Sequence, residues 1–316
     1  MAIFTHTLND ALPDACRGGT LAIGNFDGVH RGHQSLLAEA ARHGRPAIAV
    51  TFDPHPIQLL RPDRVEPFLS TLDDRANLLQ QYGADHVLIL QTTPALLQLT
   101  AREFFERIIA LGLQTKALVE GYSFSFGRGR EGSIEVLKQL CAEKSIGLTL
   151  MQPCEVLGQP VSSSRVRREL QAGNVDVAQQ LLGRPYRLTG VVGTGAKRGA
   201  TLGFPTANLE QIVTLIPGNG VYAVRATIAP LAPSGRGVGG EATTWPAAAN
   251  VGPNPTFGEN ARKIEVHLLG FQGDLYGHTL SVDFIKKIRE TRAFRTPQEL
   301  ITQINADIAD VTIALA

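Results

Sequence analysis

The chain has 316 residues, 43% of them hydrophobic and 19% charged, and carries a formal net charge of +1. It is longer than one average domain and long enough for two cores, and its balance is that of a globular chain, not a disordered or fibrous one. A charge so near zero gives no electrostatic case for nucleic acid or an anionic membrane surface as partner, and no apolar run approaches the length of a membrane span. Cys16, Cys141 and Cys154 are odd in number and lack C-x-x-C spacing, so neither a disulfide framework nor a zinc site is expected. A reducing compartment fits them better. The opening MAIFTHTLNDALPDAC shows no basic stretch followed by an apolar one, so no signal peptide is expected and the protein is read as cytoplasmic.

In chain order, the apolar run TLAI at 20–23 suits a buried strand. Gly24, Gly28 and Gly32 break it, and residues 35–42 read as a helix. Strand, glycine-rich turn and helix start together suit an anion, because glycines admit close backbone approach and the helix N-terminus offers unpaired N–H groups. His30 and His33 lie three residues apart at that helix start, so both imidazoles can point at one phosphate. Read as two surface histidines, the pair leaves the glycines unexplained. Read as metal ligands, it lacks a third: Cys16 is alone and no carboxylate sits at helical spacing. The favoured reading is charge stabilisation of an α-phosphate during nucleotidyl transfer, and HRGH at 30–33 resembles the HxGH signature of the nucleotidyltransferase superfamily.

Strands follow at 47–52, 86–90, 117–119 and 148–151, alternating with helices at 72–82, 100–111 and 133–144. That alternation predicts a parallel, doubly wound sheet. Asp53-Pro-His-Pro56 predicts an extended loop at the C-terminal end of its strand, where open α/β sheets place ligands. The loop at 121–130 mixes aromatics, glycines and two arginines. It is either a surface hairpin or a ligand loop with Phe124 or Phe126 lining an apolar slot and Arg128 or Arg130 meeting phosphate. In VSSSRVR at 161–167, three serines lead into a helix over 166–171, with Arg165 and Arg167 in its first turn. Arginines there oppose the macrodipole, at a cost of about 0.3–1 kcal/mol unless an anion offsets them, so a phosphate site is favoured over a simple cap.

Helical periodicity ends near Leu182, and Gly183-Arg-Pro185 marks a domain boundary, giving 1–182 and 183–316. Short strand-like runs at 186–192, 221–228, 247–251, 263–269 and 279–284, then a helix at 297–308, predict a small antiparallel barrel with a C-terminal helix. Residues 229–244, rich in glycine, read as an exposed hairpin or insertion without chemistry. Gly193-Thr-Gly-Ala-Lys-Arg-Gly199 lacks P-loop spacing, yet its glycines, including Gly195 and Gly199, suit polyphosphate together with Lys197 and Arg198. Thr206 and Asn208 alternate on one face and can offer oxygen to Mg²⁺. Alternation also puts Glu265 and His267 on one strand face, and pattern alone makes Glu265 a solvated residue.

Taken as an ordered set, GNFDGVHRGHQ, TFDPHP, FSFGRGREG, VSSSRVR, GFPTANL, PGNGVYAV, NVGPNPTF, EVHLL and GDLYG resemble the bacterial bifunctional riboflavin kinases/FMN adenylyltransferases over nearly the whole chain. The resemblance implies two ATP- and Mg²⁺-dependent steps, riboflavin to FMN in the barrel and FMN to FAD in the first domain, with no nucleic acid or membrane partner. It assigns His30 and His33 to the α-phosphate, with Gly24, Asn25 and Asp27 in the nucleotide loop. Ser163, Ser164 and Arg165 go to the outgoing phosphates, supported by Arg167. Ser123, Phe124, Phe126 and Arg289 are expected beside flavin. In the kinase, Thr206 and Asn208 match the Mg²⁺ and phosphate ligands and Glu265 the general base, which reverses the solvated reading of that residue. Two departures stand out. Ser123 replaces the family's usual Asn or Asp, and Ala200 follows a glycine where the family usually has Arg. A riboflavin kinase with a weakened first domain is the rival enzyme reading, and a flavin or nucleotide sensor the non-catalytic one.

Overall fold

The computed structural model describes residues 1–194, 203–229, 242–254 and 259–316. They form two compact units, Met1–Ser163 and Ser164–Ala316.

The first unit is built on a six-stranded parallel sheet. Its strands are β1 (Ala2–His6), β2 (Thr20–Ile23), β3 (Ala47–Asp53), β4 (His86–Gln91), β5 (Ala117–Gly121) and β6 (Gly147–Met151), in the order β1-β4-β3-β2-β5-β6. Both faces of the central strands are buried, which is why their sequences are continuous apolar runs and do not alternate with polar residues. Leu21, Ile23, Ile48, Val50, Leu88 and Leu90 point to one face, against Phe105, Ile109, Leu137 and Leu140. Ala22, Ala49, Val87 and Ile89 point to the other, against Phe26, Leu37 and Leu79. The helices that supply those side chains are α1 (Arg31–His43), α3 (Leu72–Gln81), the α5 segment (Ala101–Phe104) with its π-helical continuation Phe105–Ala110, and α6 (Ile134–Glu143). The short α2 (Pro56–Leu60) and α4 (Pro94–Leu97) lie in the connections, and β7 (Glu155–Val156) and β8 (Gln159–Pro160) form a small hairpin.

From β2 the chain runs outward through β3 to β4, then returns to place β5 on the other side of β2. The strand order therefore reverses at β2/β5, and in such sheets the crevice beyond the carboxyl ends at the reversal receives ligands. The glycine-rich turn begins there, at Gly24.

Past its first residue, α7 (Ser163–Gln171) opens the second unit, followed by α8 (Val175–Leu182). A closed barrel follows, from β9 (Tyr186–Gly193), β10 (Ala207–Glu210), β11 (Gly220–Ile228), β12 (Thr243–Asn254), β13 (Glu259–Leu268) and β14 (Thr279–Arg289), in the order β10-β13-β12-β11-β14-β9. Alternate residues such as Leu188, Leu209, Tyr222, Val224, Ala249, Val266, Val282 and Phe284 are buried and fill it. α8 packs on β9 and β14, and α9 (Pro297–Leu315) on β11, β12 and β14.

Three boundaries differ from the sequence expectation. α1 begins at Arg31 because His30 caps it, so HRGH spans the cap and first turn and does not precede the helix. α7 likewise begins at Ser163, not 166, which makes Ser163 a helical residue. α9 continues past 308 to Leu315. Most of the expected 229–244 insertion lies outside the described residues.

Candidate functional site

The turn after β2 is tight and left-handed. Phe26, Gly28 and Val29 have φ of 52°, 76° and 38°. For a β-branched valine that is a strained conformation, of the kind that persists at functional sites when its surroundings over-determine it. The surroundings do: Phe26 and Val29 are buried, at 1% and 0% exposure. The Gly24 N–H donates to the Val50 carbonyl at 3.0 Å. At the end of the turn His30 caps α1, its Nδ1 accepting from the His33 backbone N–H at 3.4 Å. The two imidazoles stack with centroids 3.6 Å apart and planes 17° apart, and the Phe26 ring meets His33 edge-on at 5.1 Å. Gly32 leaves room beneath them, since a Cβ there would lie 3.2 Å from His30 Cε1, tighter than ordinary contact. Desolvation first, then the neighbouring His30 and Arg75, holds His33 well below the usual histidine range. It is a neutral ring whose Nδ1 is buried without a partner.

Several buried polar groups hold this turn. Asp27, 2% exposed, accepts from the backbone N–H groups of Leu69 at 2.9 Å and Ser70 at 3.3 Å, and Ser70 Oγ accepts from Gly28 N–H at 3.2 Å. Asp27 lies in the expected nucleotide loop, and there its carboxylate accepts from those N–H donors. Arg75, from α3, is 4% exposed and donates to the carbonyls of Asn25 at 3.2 Å and Phe52 at 3.4 Å. Nothing in the helical pattern of 72–82 marks it for this place. Ser163 Oγ donates to the Asp27 carbonyl at 2.9 Å. Glu120, 1% exposed on β5, accepts from the Ile23 N–H at 2.8 Å, and burial pushes its carboxyl well above the usual carboxylate range.

The other expected residues divide. Asn25 and Ser123 are exposed. Phe124 is partly buried and stacks on Phe126 at 5.5 Å. Phe126 is 7% exposed and packs in the core with Phe104. In the second unit Ser164 is exposed, Arg165 buried and Arg167 partly buried, all in the first turns of α7.

On the barrel, Asn208 of β10 lies directly opposite Glu265 of β13, and Glu265 directly opposite Asn250 of β12. All three are partly exposed, while their chain neighbours Ala207, Leu209, Ile264, Val266, Ala249 and Val251 are buried. Alternation therefore sets the three side chains on the outer face in one row. Thr206 is two residues from Asn208 and also partly exposed. His267 Nδ1 lies 2.7 Å from the Pro205 carbonyl and ties β13 to the start of that segment. Gly195, Lys197 and Gly199 lie outside the described residues. Arg289, expected at the flavin, is engaged by Asp307 of α9 through paired contacts of 2.8 and 2.7 Å. Asp307 is 4% exposed, so that fork is a structural clamp whatever else it borders.

A doubly wound sheet with paired histidines at a helix start, joined to a closed barrel bearing an outward carboxylate between two amides, defines a two-domain phosphate-transferring enzyme. Residues 13–165 match the FAD synthetase family and residues 182–315 the riboflavin kinase family. The chain is 39% identical over 298 residues to the bifunctional riboflavin kinase/FMN adenylyltransferase of Pseudomonas fluorescens, covering 93% of this chain and 92% of that one. It is 36% identical over 306 residues to the protein of the same description from Escherichia coli strain K12, covering 96% and 93%. A crystal structure described as a macrolide-efflux protein from Streptococcus pneumoniae matches with a TM-score of 0.83 at 29% identity over 98% of both chains, a likeness of fold. The chain belongs to the bifunctional riboflavin kinase/FMN adenylyltransferase family, which uses ATP. Among the described residues, no helix is long and apolar enough to cross a membrane.

Proposed function

We propose that the HRGH turn transfers the adenylyl group of ATP to FMN, and that the barrel phosphorylates riboflavin with Glu265 as general base. In the first reaction an FMN phosphate oxygen attacks the α-phosphorus, and the bond to pyrophosphate breaks with its electron pair. The nucleophile is already an anion, so no base is needed. What the reaction needs is donors at the α-phosphate as it becomes five-coordinate. The stacked imidazoles of His30 and His33 at the start of α1 are the observation that carries this reading. His30 Nδ1 accepts a hydrogen bond, so its neutral ring carries the proton on Nε2. Gly24 and Asn25 border the nucleotide, with Ser123 and Phe124 toward the flavin. Ser163, Ser164 and Arg165 meet the outgoing phosphates, supported by Arg167, while Asp27 and Arg75 hold the turn.

In the kinase the nucleophile is the primary hydroxyl of riboflavin. Glu265 takes its proton as the oxygen attacks the γ-phosphorus, and ADP leaves. Gly195, Lys197 and Gly199 are assigned to the polyphosphate and Arg289 to the border of the flavin. Thr206 and Asn208 fit Mg²⁺ in kind, as hard oxygen donors. No group of three His, Cys, Asp or Glu among the described residues forms a metal cage, which suits an ion held mostly by phosphate and water. When bound, Mg²⁺ neutralises phosphate charge. The activities are assigned to 1–182 and 183–316, and the compartment to the cytoplasm, where ATP is supplied.

The test uses two variants, each started from riboflavin and from FMN. Glu265→Gln should lower FMN formation about 10²–10⁴-fold and leave FAD formation from added FMN unchanged. His33→Ala should lower FAD formation about 10²–10³-fold and let FMN accumulate. Loss of both activities in either folded variant overturns the two-site reading.

A further inference from the structure

We infer that Asn250 is a positioning residue for riboflavin phosphorylation, its side-chain amide fixing the carboxylate of Glu265 at the riboflavin hydroxyl. The inference rests on the reading of Glu265 as the base. Its own ground is the strand register. Asn250 and Glu265 are direct partners across β12 and β13, and Glu265 is flanked on its other side by Asn208 of β10. Directly opposed residues of an antiparallel pair have Cβ atoms roughly 4.5–5.5 Å apart and share a face. The buried neighbours on either side of each confirm that the face is the outer one for all three.

The residue type is the second argument. Asn250 lies in Pro246-Ala-Ala-Ala-Asn-Val-Gly252, a stretch otherwise without a polar side chain. Asparagine is disfavoured in strands, and nothing in packing such a stretch calls for an amide. An amide does suit a base. Its NH₂ donates to one carboxylate oxygen and fixes the rotamer, leaving the other oxygen to take the proton. A lysine or arginine at that register would also hold the carboxylate, but its charge would depress the basicity the reaction uses. With Asn208 proposed to face the cation and phosphate, Asn250 is the amide left on the opposite strand to orient Glu265.

The charged or titratable groups on the same face of the paired strands are Lys263 and His267, two positions either side of Glu265 on β13, and Glu210 on β10; Ala248 and Gly252 of β12 carry none. None of these changes when Asn250 is substituted, so the charge around Glu265 is the same in the variants.

The experiment uses the full chain, with FMN formation measured from riboflavin and ATP and FAD formation from added FMN as the check on integrity. Asn250→Ala should lower kinase kcat about 10–100-fold, the equivalent of one hydrogen bond to a charged group. KM for riboflavin and ATP should stay within about threefold on the same argument, because the contact is with the base and not the substrates. Asn250→Ser, which keeps a donor, should recover part of the rate, and covers the case of an alanine variant that does not fold. Unchanged kcat in Asn250→Ala, with Glu265→Gln inactive, overturns this inference and leaves the base in place. A lowered kcat that Asn250→Ser does not partly recover, or one accompanied by an equal rise in KM, also overturns it, as a merely structural effect. Full activity in Glu265→Gln removes the base reading, and this inference with it.

Discussion

The guanidinium of Arg75 donates to the main-chain oxygen of Asn25 at 3.2 Å, so a side chain of α3 fixes the backbone of a turn fifty residues earlier. It also reaches the Phe52 carbonyl at the end of β3, and so ties the HRGH turn to the TFDPHP loop. Arg75→Met removes those bonds. Hydrogen bonds to a charged group contribute about 1.5–3 kcal/mol each, so a loss of stability of that order is expected in a thermal melt. FAD formation should fall at least roughly tenfold, the rate equivalent of one such bond, while FMN formation stays unchanged. Because Arg75 is one of the charges that disfavour protonation of His33, the variant's acid limb for FAD formation should move to higher pH. A variant with wild-type FAD formation at every pH would show that the turn does not depend on this cation.

Glu120 gives a prediction about stability and pH. Burial raises its carboxyl well above the ordinary 4.5, so the folded chain keeps a proton that the unfolded chain releases. With the folded value above the unfolded one, its favourable contribution is complete below pH 4.5 and is lost as pH rises toward the folded value. Glu120→Gln keeps an oxygen for the Ile23 N–H and carries no proton to lose. The variant should therefore gain on wild type as pH rises, by about 1.4 kcal/mol per pH unit within that window. Denaturant melts at acid and at neutral pH measure it. A difference between the two proteins that does not vary with pH would mean that Glu120 is ionised in the fold.

A fragment of residues 183–316 is expected to fold and to phosphorylate riboflavin. It should be less stable than one of residues 164–316, since α8 packs on β9 and β14 and buries Val175, Ala178, Leu181 and Leu182. Each buried valine or leucine is worth about 1.5–3 kcal/mol. Both fragments should form FMN and neither FAD. An insoluble shorter fragment beside an active longer one would move the functional boundary to Ser164.

Ser123→Asn introduces the side chain that the resemblance leads one to expect at an exposed position of the loop proposed to border flavin. One neutral hydrogen bond, about 0.5–1.5 kcal/mol, should lower KM for FMN or ATP in FAD formation by roughly tenfold or less. Unchanged KM for both assigns the position to loop structure alone.

Most strands of both units are legible in the sequence because burial on two faces, or on alternate positions, writes itself into hydrophobic period; β1, β10 and the β7/β8 hairpin are too short or too mixed to show it. His30, His33 and Glu265 stand out through spacing and family motif. Arg75 does not: an arginine in an amphipathic helix has the pattern of a surface residue, and only the return of α3 to the sheet buries it. The anchoring of Asp27 is hidden too, because the N–H groups of Leu69 and Ser70 that it accepts from are distant in sequence. Asn250 is hidden in an alanine run, and its opposition to Glu265 exists only once β12 and β13 are in register. The start of α1 falls earlier than propensity suggests because a histidine ring caps it.

The place of β14 in the barrel bears on how the second unit is made. It lies between β11 and β9 and pairs with both, so one strand seals two seams. Without it, β9-β10-β13-β12-β11 is an open sheet whose two edges, at 186–193 and 220–228, lack partners. A chain emerging from the ribosome therefore carries a pair of exposed ladders until residues 279–289 have been synthesised, and closure is a late, long-range event that slows folding. Chains cut short before that strand present two pairing edges to one another, and such edges are where aggregation starts.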